Sequence, residues 1–153
     1  MLSRRHVVIF LATGGYVGRM PMAPGTFGSL IGLPVAYALS KMSWPWAAAV
    51  VILLTALAVW SAGQAARQLG VKDPGSIVID EIVGMAVTLL GLPFNIATVV
   101  AGFALFRIFD IAKPPPVRQL DRNIGGGWGI VLDDIAAGIM ANIVLRAGLL
   151  IMS

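Results

Sequence analysis

Seven carboxylates serve a chain of 153 residues, and none of them precedes Asp73. The other six fall where apolar segments begin or end: Asp80-Glu81, Asp110 followed by Asp121, and Asp133-Asp134. Near hydrocarbon a carboxylate is tolerated only when it is hydrated, paired or bound to a metal. One acid at a helix start is explained by capping of free N–H groups and by the helix dipole. Two adjacent acids, occurring twice, exceed what a cap requires.

Between the two pairs stands Phe106-Arg107-Ile108-Phe109-Asp110-Ile111-Ala112-Lys113-Pro114. Its charges fall at i, i+3 and i+6, along one flank of a helix. The plain structural reading is an Arg107–Asp110 pair with Lys113 reaching towards the headgroups. The chemical reading gives Asp110 to a cation and Arg107 and Lys113 to an anion, because a guanidinium fork can donate two hydrogen bonds to one phosphate. Upstream, Met22-Ala23-Pro24-Gly25-Thr26-Phe27-Gly28-Ser29 is a turn entering a helix. Thr26 or Ser29 could cap that helix, and a helix start built from small residues can also receive a phosphate. Before the last acidic pair, Gly125-Gly126-Gly127-Trp128-Gly129 offers either a hinge or a flexible backbone beside two carboxylates.

Five acids for cations, two or three bases for an anion and a glycine-rich helix start point to metal-assisted chemistry on a phosphate. Mg²⁺ prefers oxygen ligands and often bridges carboxylates to phosphate. Absences narrow the mechanism. The chain has no cysteine, which removes disulfides, thiolate metal sites and a cysteinyl-phosphate route. His6 is its one histidine and reads as a flanking interfacial residue, so a histidine nucleophile is excluded as well. There is no Walker A loop. A carboxylate-held Mg²⁺ that orients or activates water remains, with a carboxylate nucleophile as the open alternative.

The elements that must position these groups are apolar. The chain is 58% hydrophobic and 12% charged, with a mean hydropathy of +0.90, well beyond the roughly 45–50% apolar usage of soluble domains. Apolar segments run at about 7–12, 27–40, 46–61, 78–92, 96–111 and 135–152. They predict an all-α, polytopic membrane helix bundle of about four to five spans plus a short N-terminal helix, one domain over 1–153. The start, MLSRRHVVIFLATGG, has the basic and apolar parts of a signal peptide without a convincing cleavage site. The net charge of +4 does not imply nucleic acid, since the eleven Lys and Arg are scattered between apolar segments. With a cytoplasmic N-terminus, Arg4, Arg5, Arg19, Arg67, Lys72, Lys113, Arg118 and Arg122 all fall inside and Lys41 outside, as the positive-inside rule favours. Trp44 and Trp46 then form an outer aromatic belt. The same topology brings every acidic cluster to the cytoplasmic boundary, although the acids took no part in deriving it.

At these residues the chain resembles the phosphatidylglycerophosphatase A family of bacterial inner-membrane lipid phosphatases. The matching stretches are Ala23 to Ser29, Asp80-Glu81-Ile82-Val83-Gly84-Met85, Phe106 to Asp110 with Lys113-Pro114, and Gly126-Gly127 through Asp133-Asp134 with Ala137-Gly138, in order across about 20–150. The resemblance implies Mg²⁺-dependent hydrolysis of phosphatidylglycerophosphate to phosphatidylglycerol and phosphate. It implies metal or catalytic roles for Asp80, Glu81, Asp110, Asp133 and Asp134, and phosphate contacts for Thr26, Arg107 and Lys113. Asp73, Arg118 and Asp121 are given at most a secondary role. The expected partner is a phospholipid substrate in the bilayer, with room for a homo-oligomer. A transporter is the rival from another class, but it needs charges near mid-span and only Arg146 lies well inside a predicted helix. A non-catalytic assembly subunit would use the acids only to pair with Arg and Lys. Nothing in the sequence reads the glycerol headgroup, so a phosphatase for another lipid phosphate monoester is the nearest alternative.

Overall fold

The computed structural model describes residues 4–152, and these are all-helical: seven α-helices and one 3-10 turn, with no strand among them. In chain order they are α1 (Arg4–Ala12), the 3-10 turn Val17–Arg19, α2 (Pro24–Ser40), α3 (Trp44–Leu69), α4 (Ile79–Leu89), α5 (Ile96–Ala112), α6 (Val117–Asn123) and α7 (Gly126–Met152). Two of them, α3 and α7, are long and apolar enough to cross a bilayer, and they fit a membrane protein. The others are shorter, with 17 residues in α2, 11 in α4 and 17 in α5. Two helices therefore pass the length test, where four to five spans were expected.

Helix ends depart from the hydropathy pattern for local reasons. α3 runs on past the apolar segment through Gln64, Arg67 and Gln68, all good helix formers, and stops at Gly70, a left-handed C-cap with φ 68°. α7 begins at Gly126, nine residues before the apolar segment, so Asp133 and Asp134 lie inside the helix and cap nothing. Its glycines are not a hinge. A side chain at Gly127 would run into the backbone carbonyl of Val59, and one at Gly63 would meet the Gly127 backbone, so glycine lets α3 and α7 cross at backbone contact. The seven-residue α6 went unseen in the hydropathy pattern. It is held by Val117, which is fully buried.

The short helix α4 is the centre of the bundle, packing on α2, α3, α5 and α7. Helices in hydrocarbon gain little from apolar burial alone, so close van der Waals fit must hold them together. Small residues supply it. Gly25, Gly28 and Gly32 form one stripe of α2 against α4, where a Cβ at Gly28 would lie 2.7 Å from Val78 Cβ and one at Gly32 2.6 Å from Met85 Cβ. On the other side, a Cβ at Gly84 would lie 2.6 Å from the Phe106 ring, and one at Gly138 2.5 Å from the Gly84 carbonyl oxygen. Phe106 itself is fully buried.

An 11-residue helix ending inside a bundle leaves carbonyls without water to satisfy them. Asn142 of α7 donates to Val87 O, Thr88 O and Leu90 O, and Arg146 Nη2 donates to Leu90 O at 3.0 Å and to Gly91 O. Arg146, the one charge well inside a predicted helix, is thus bound to the end of α4.

Candidate active site

The N-terminal end of α4 meets the C-terminal half of α5, the first turns of α7 and the start of α2. Asp80 and Glu81 are the second and third residues of α4, and the N-cap residue Val78 makes no side-chain cap bond. Asp134 reaches them from α7. One carboxylate oxygen from each of Asp80, Glu81 and Asp134 lies within 4.8 Å of the others. Asp110, at the end of α5, adjoins both Glu81 and Asp134. Asp133 precedes Asp134 by one helical position, about 100° round the axis, and so faces away from the triad.

Facing away, Asp133 meets Lys113. The Lys113 ammonium lies 2.8 Å from Asp133 Oδ2 and 2.9 Å from Asp121 Oδ1. Burial alone would lower its pKa, but hydrogen bonds to the Asp133 and Asp121 carboxylates raise it above the ordinary lysine value, so the cation stays charged. Lys113 adopts the left-handed conformation, φ 46°, at the C-cap of α5. For a non-glycine residue that costs about 1–2 kcal/mol. The expected Arg107–Asp110 pair is present, through Arg107 Nη1 and Asp110 Oδ2. Lys113 is turned towards α7 and α6 instead of the headgroups.

Where the polar atoms are left over matters as much as where they are paired. Asp80 Oδ1, Glu81 Oε2, Asp133 Oδ1, Asp134 Oδ2 and Arg107 Nε are all buried without a hydrogen-bond partner. Buried carboxylate oxygens in that condition are costly. Those of Asp80, Glu81 and Asp134, beside a guanidinium N–H, match a site for a cation and an anion together. The donor set is all oxygen, as Mg²⁺ prefers.

The start of α2 closes the site from the other side. Its N-cap is Ala23, in the left-handed region at φ 47°, and no side chain caps it. Ser29 hydrogen-bonds back to Gly25 O at 2.8 Å, and the Thr26 hydroxyl has no partner among the described residues. Neither of the two candidate caps therefore does the capping. Gly25 is buried against the site, and a Cβ there would collide with Glu81 Oε1 and approach Arg107 Nη1 to 3.1 Å. Only glycine leaves that space open. The structure thus brings Asp80, Glu81, Asp110 and Asp134 together with Arg107, sets Thr26 one residue from Gly25 at its edge, and joins Asp133 to it through Lys113.

Sequence reasoning gave Asp121 only a secondary role, yet it is the second partner of Lys113. The sign was an acid between Arg118 and Arg122 on a segment too polar to be core. Asp121 also lines a polar cavity of about 230 Å³ with Lys72, Asp73, Arg122 and Gly126. Arg118 lines a separate small cavity with Gln119, Arg122 and Asn123.

The profile of the phosphatidylglycerophosphatase A family matches residues 10–149. The chain belongs to that family. Members of the phosphatidylglycerophosphatase A family are phosphoric monoester hydrolases. The phosphatidylglycerophosphatase A of Escherichia coli (strain K12) is 46% identical over 132 residues, covering 86% of this chain and 77% of that one. Its namesake in Haemophilus influenzae is 36% identical over 151 residues, covering 95% and 91%. A Bacteroides thetaiotaomicron protein whose name proposes a phosphatidylinositol-3-phosphatase is 38% identical over 146 residues, covering 90% of each chain. No solved structure matches the chain.

Proposed function

We propose that this protein hydrolyses phosphatidylglycerophosphate to phosphatidylglycerol and phosphate in a Mg²⁺-dependent reaction at the cytoplasmic face of a bacterial inner membrane. The observation that carries the reading is the triad of Asp80, Glu81 and Asp134, with unpartnered oxygens on all three, set against Arg107. Family membership supplies the reaction class, and the positive-inside pattern supports the cytoplasmic side.

Asp80, Glu81 and Asp134 would hold Mg²⁺, with Asp110 beside them. Bound there, the ion would supply positive charge to a phosphate monoester and lower the pKa of water, which are the two requirements of hydrolysis. Arg107, held by Asp110, offers its free Nε to a phosphate oxygen, and Thr26 offers a hydroxyl from the uncapped start of α2. Hydrolysis puts a water oxygen on phosphorus, breaks the bond from phosphorus to the glycerol oxygen and returns a proton to that oxygen. Asp110, which adjoins Glu81 and Asp134, is the carboxylate outside the triad placed to take and return the proton, while Asp133 holds Lys113 in position. Gly25 keeps the approach open. A site at the end of the bundle lets the acyl chains stay in the bilayer while the headgroup meets the acids, and α2 and α5, at 17 residues each, are long enough to be short spans beside α3 and α7.

The assignment is tested by phosphate release from phosphatidylglycerophosphate in mixed micelles, with Mg²⁺ and with EDTA, beside Asp80→Asn. Release that needs the metal and is lost in the variant is expected; release that is indifferent to both overturns it. The name of the Bacteroides relative favours a second reading, a phosphatase for another lipid phosphate monoester. Phosphatidylinositol-3-phosphate in the same assay decides between them by kcat/KM.

A further inference from the structure

The end of the bundle remote from the acids holds a second built cavity. It has a volume of about 500 Å³, and its walls include Trp44, Val87, Leu90, Ile139, Asn142 and Arg146. On α7, Arg146 lies about 20 Å beyond Asp133 at 1.5 Å per residue. All seven carboxylates of the chain belong to the other end: five in or beside the triad, and Asp73 and Asp121 in the polar cavity next to it. Among the described residues Arg146 therefore has only neutral partners. Its Nε donates to Asn142 Oδ1 at 2.8 Å and its Nη2 to the Leu90 and Gly91 carbonyls, while Nη1 has no partner among the described residues. The guanidinium is held by three hydrogen bonds through two of its nitrogens, and no carboxylate among the described residues pairs with it. Trp44, the first residue of α3, lies beside it: a Cβ at Gly91 would be 2.9 Å from both the Trp44 ring and Arg146 Nη2.

We propose that this cavity binds an anionic phospholipid of the leaflet opposite the acidic site, with its phosphate on Arg146 and one acyl chain against Leu90, Ile139 and Ile143. Charge complementarity selects the headgroup, because a fixed arginine without a carboxylate favours an anion. The apolar wall and the exposed indole select a lipid over a free ion, since an indole at a membrane interface lies at headgroup depth. The proposal rests on the bundle crossing the bilayer so that its Trp44 and Arg146 end lies at the outer face. The chain has no cysteine, so labelling of a Trp46→Cys variant from outside by an impermeant maleimide tests that crossing separately.

The experiment is native mass spectrometry of the protein released from micelles containing phosphatidylglycerol or phosphatidylcholine with the same acyl chains. The wild type should retain phosphatidylglycerol at least about tenfold over phosphatidylcholine. Arg146→Gln keeps an amide to donate to the end of α4 and should abolish the preference. Ile143→Trp fills the apolar wall without touching Arg146; it should lose the lipid while phosphate release at the acidic site continues. Asp134→Asn, at the other end, should retain the lipid. Equal retention of the two lipids, retention undiminished in Ile143→Trp, or full displacement by inorganic phosphate would each overturn the proposal, the last by showing a site for a free anion. Loss of the lipid in Asp134→Asn would place it at the acidic site and overturn it equally.

Discussion

Lys113 Nζ lies 2.8 Å from Asp133 Oδ2, joining the end of α5 to the third turn of α7 across the acidic site. The two residues are 20 apart in sequence, and the loop between them returns through α6 so that Asp121 can take the ammonium as well. Removing Lys113 from this part-buried pair leaves the Asp133 carboxylate uncompensated, so Lys113→Met should lower stability by about 1–3 kcal/mol. Asp133→Asn in the same background should restore most of it. Asp121 is more exposed, and Asp121→Asn should cost no more than about 1 kcal/mol. Thermal melts of the wild type, Lys113→Met, Asp133→Asn, the double variant and Asp121→Asn check this; additive losses in the double variant would show that the pair is not coupled.

The triad makes a prediction with two signs. Asp134→Asn should lower phosphate release by at least about 100-fold, the effect of losing a few kcal/mol of charge stabilisation. The same change removes one of several buried like charges, so the metal-free variant should melt no lower than the wild type. Mg²⁺ should raise the melting temperature of the wild type and leave Asp134→Asn unmoved. An equal rise in both would mean that the ion binds elsewhere.

Gly25 and Gly84 should respond differently to alanine. At Gly25 the new Cβ meets the ends of two flexible side chains, Glu81 and Arg107. They can shift, so stability should fall by less than about 1 kcal/mol while activity drops sharply. At Gly84 it meets the Phe106 ring and the Asp134 carbonyl, neither of which can yield, so overpacking should cost about 1–3 kcal/mol. Melting temperature and kcat measured on both variants separate the site effect from the packing effect.

Arg107 carries a pair to Asp110 and a free Nε in one planar group. Lysine keeps the charge and loses the fork. Arg107→Lys should therefore reduce kcat/KM by about 10–100-fold, the range of one charge-assisted hydrogen bond, with an unchanged melt. Activity within a factor of two of wild type would remove Arg107 from the phosphate site.

The residues of the site were legible because carboxylates are so costly in an apolar chain that each one marks a place. Asp80, Glu81, Asp110, Asp133, Asp134 and Arg107 were singled out in this way, and the Arg107–Asp110 pair followed from i, i+3 spacing. Asp121 was harder to see because its partner comes from a turn whose path the sequence does not specify. Asn142 drew no reading, and Arg146 stood out only as the one charge well inside a predicted helix. Their role exists only because α4 stops early, and that depends on where α7 passes it.

By composition and spacing alone, the chain determined an all-helical fold, the acids and bases that face one another and the end of the bundle where they collect. Those are local properties: hydropathy, helical period and the cost of charge in hydrocarbon. Tertiary structure decided the division of labour among the acids. Asp133 and Asp134 are chemically identical neighbours, yet the 100° turn between adjacent helix positions sends one to Lys113 and the other to the triad. Which goes where is set by the backbone contact of Gly84 with Gly138, which fixes the rotation of α7 against α4.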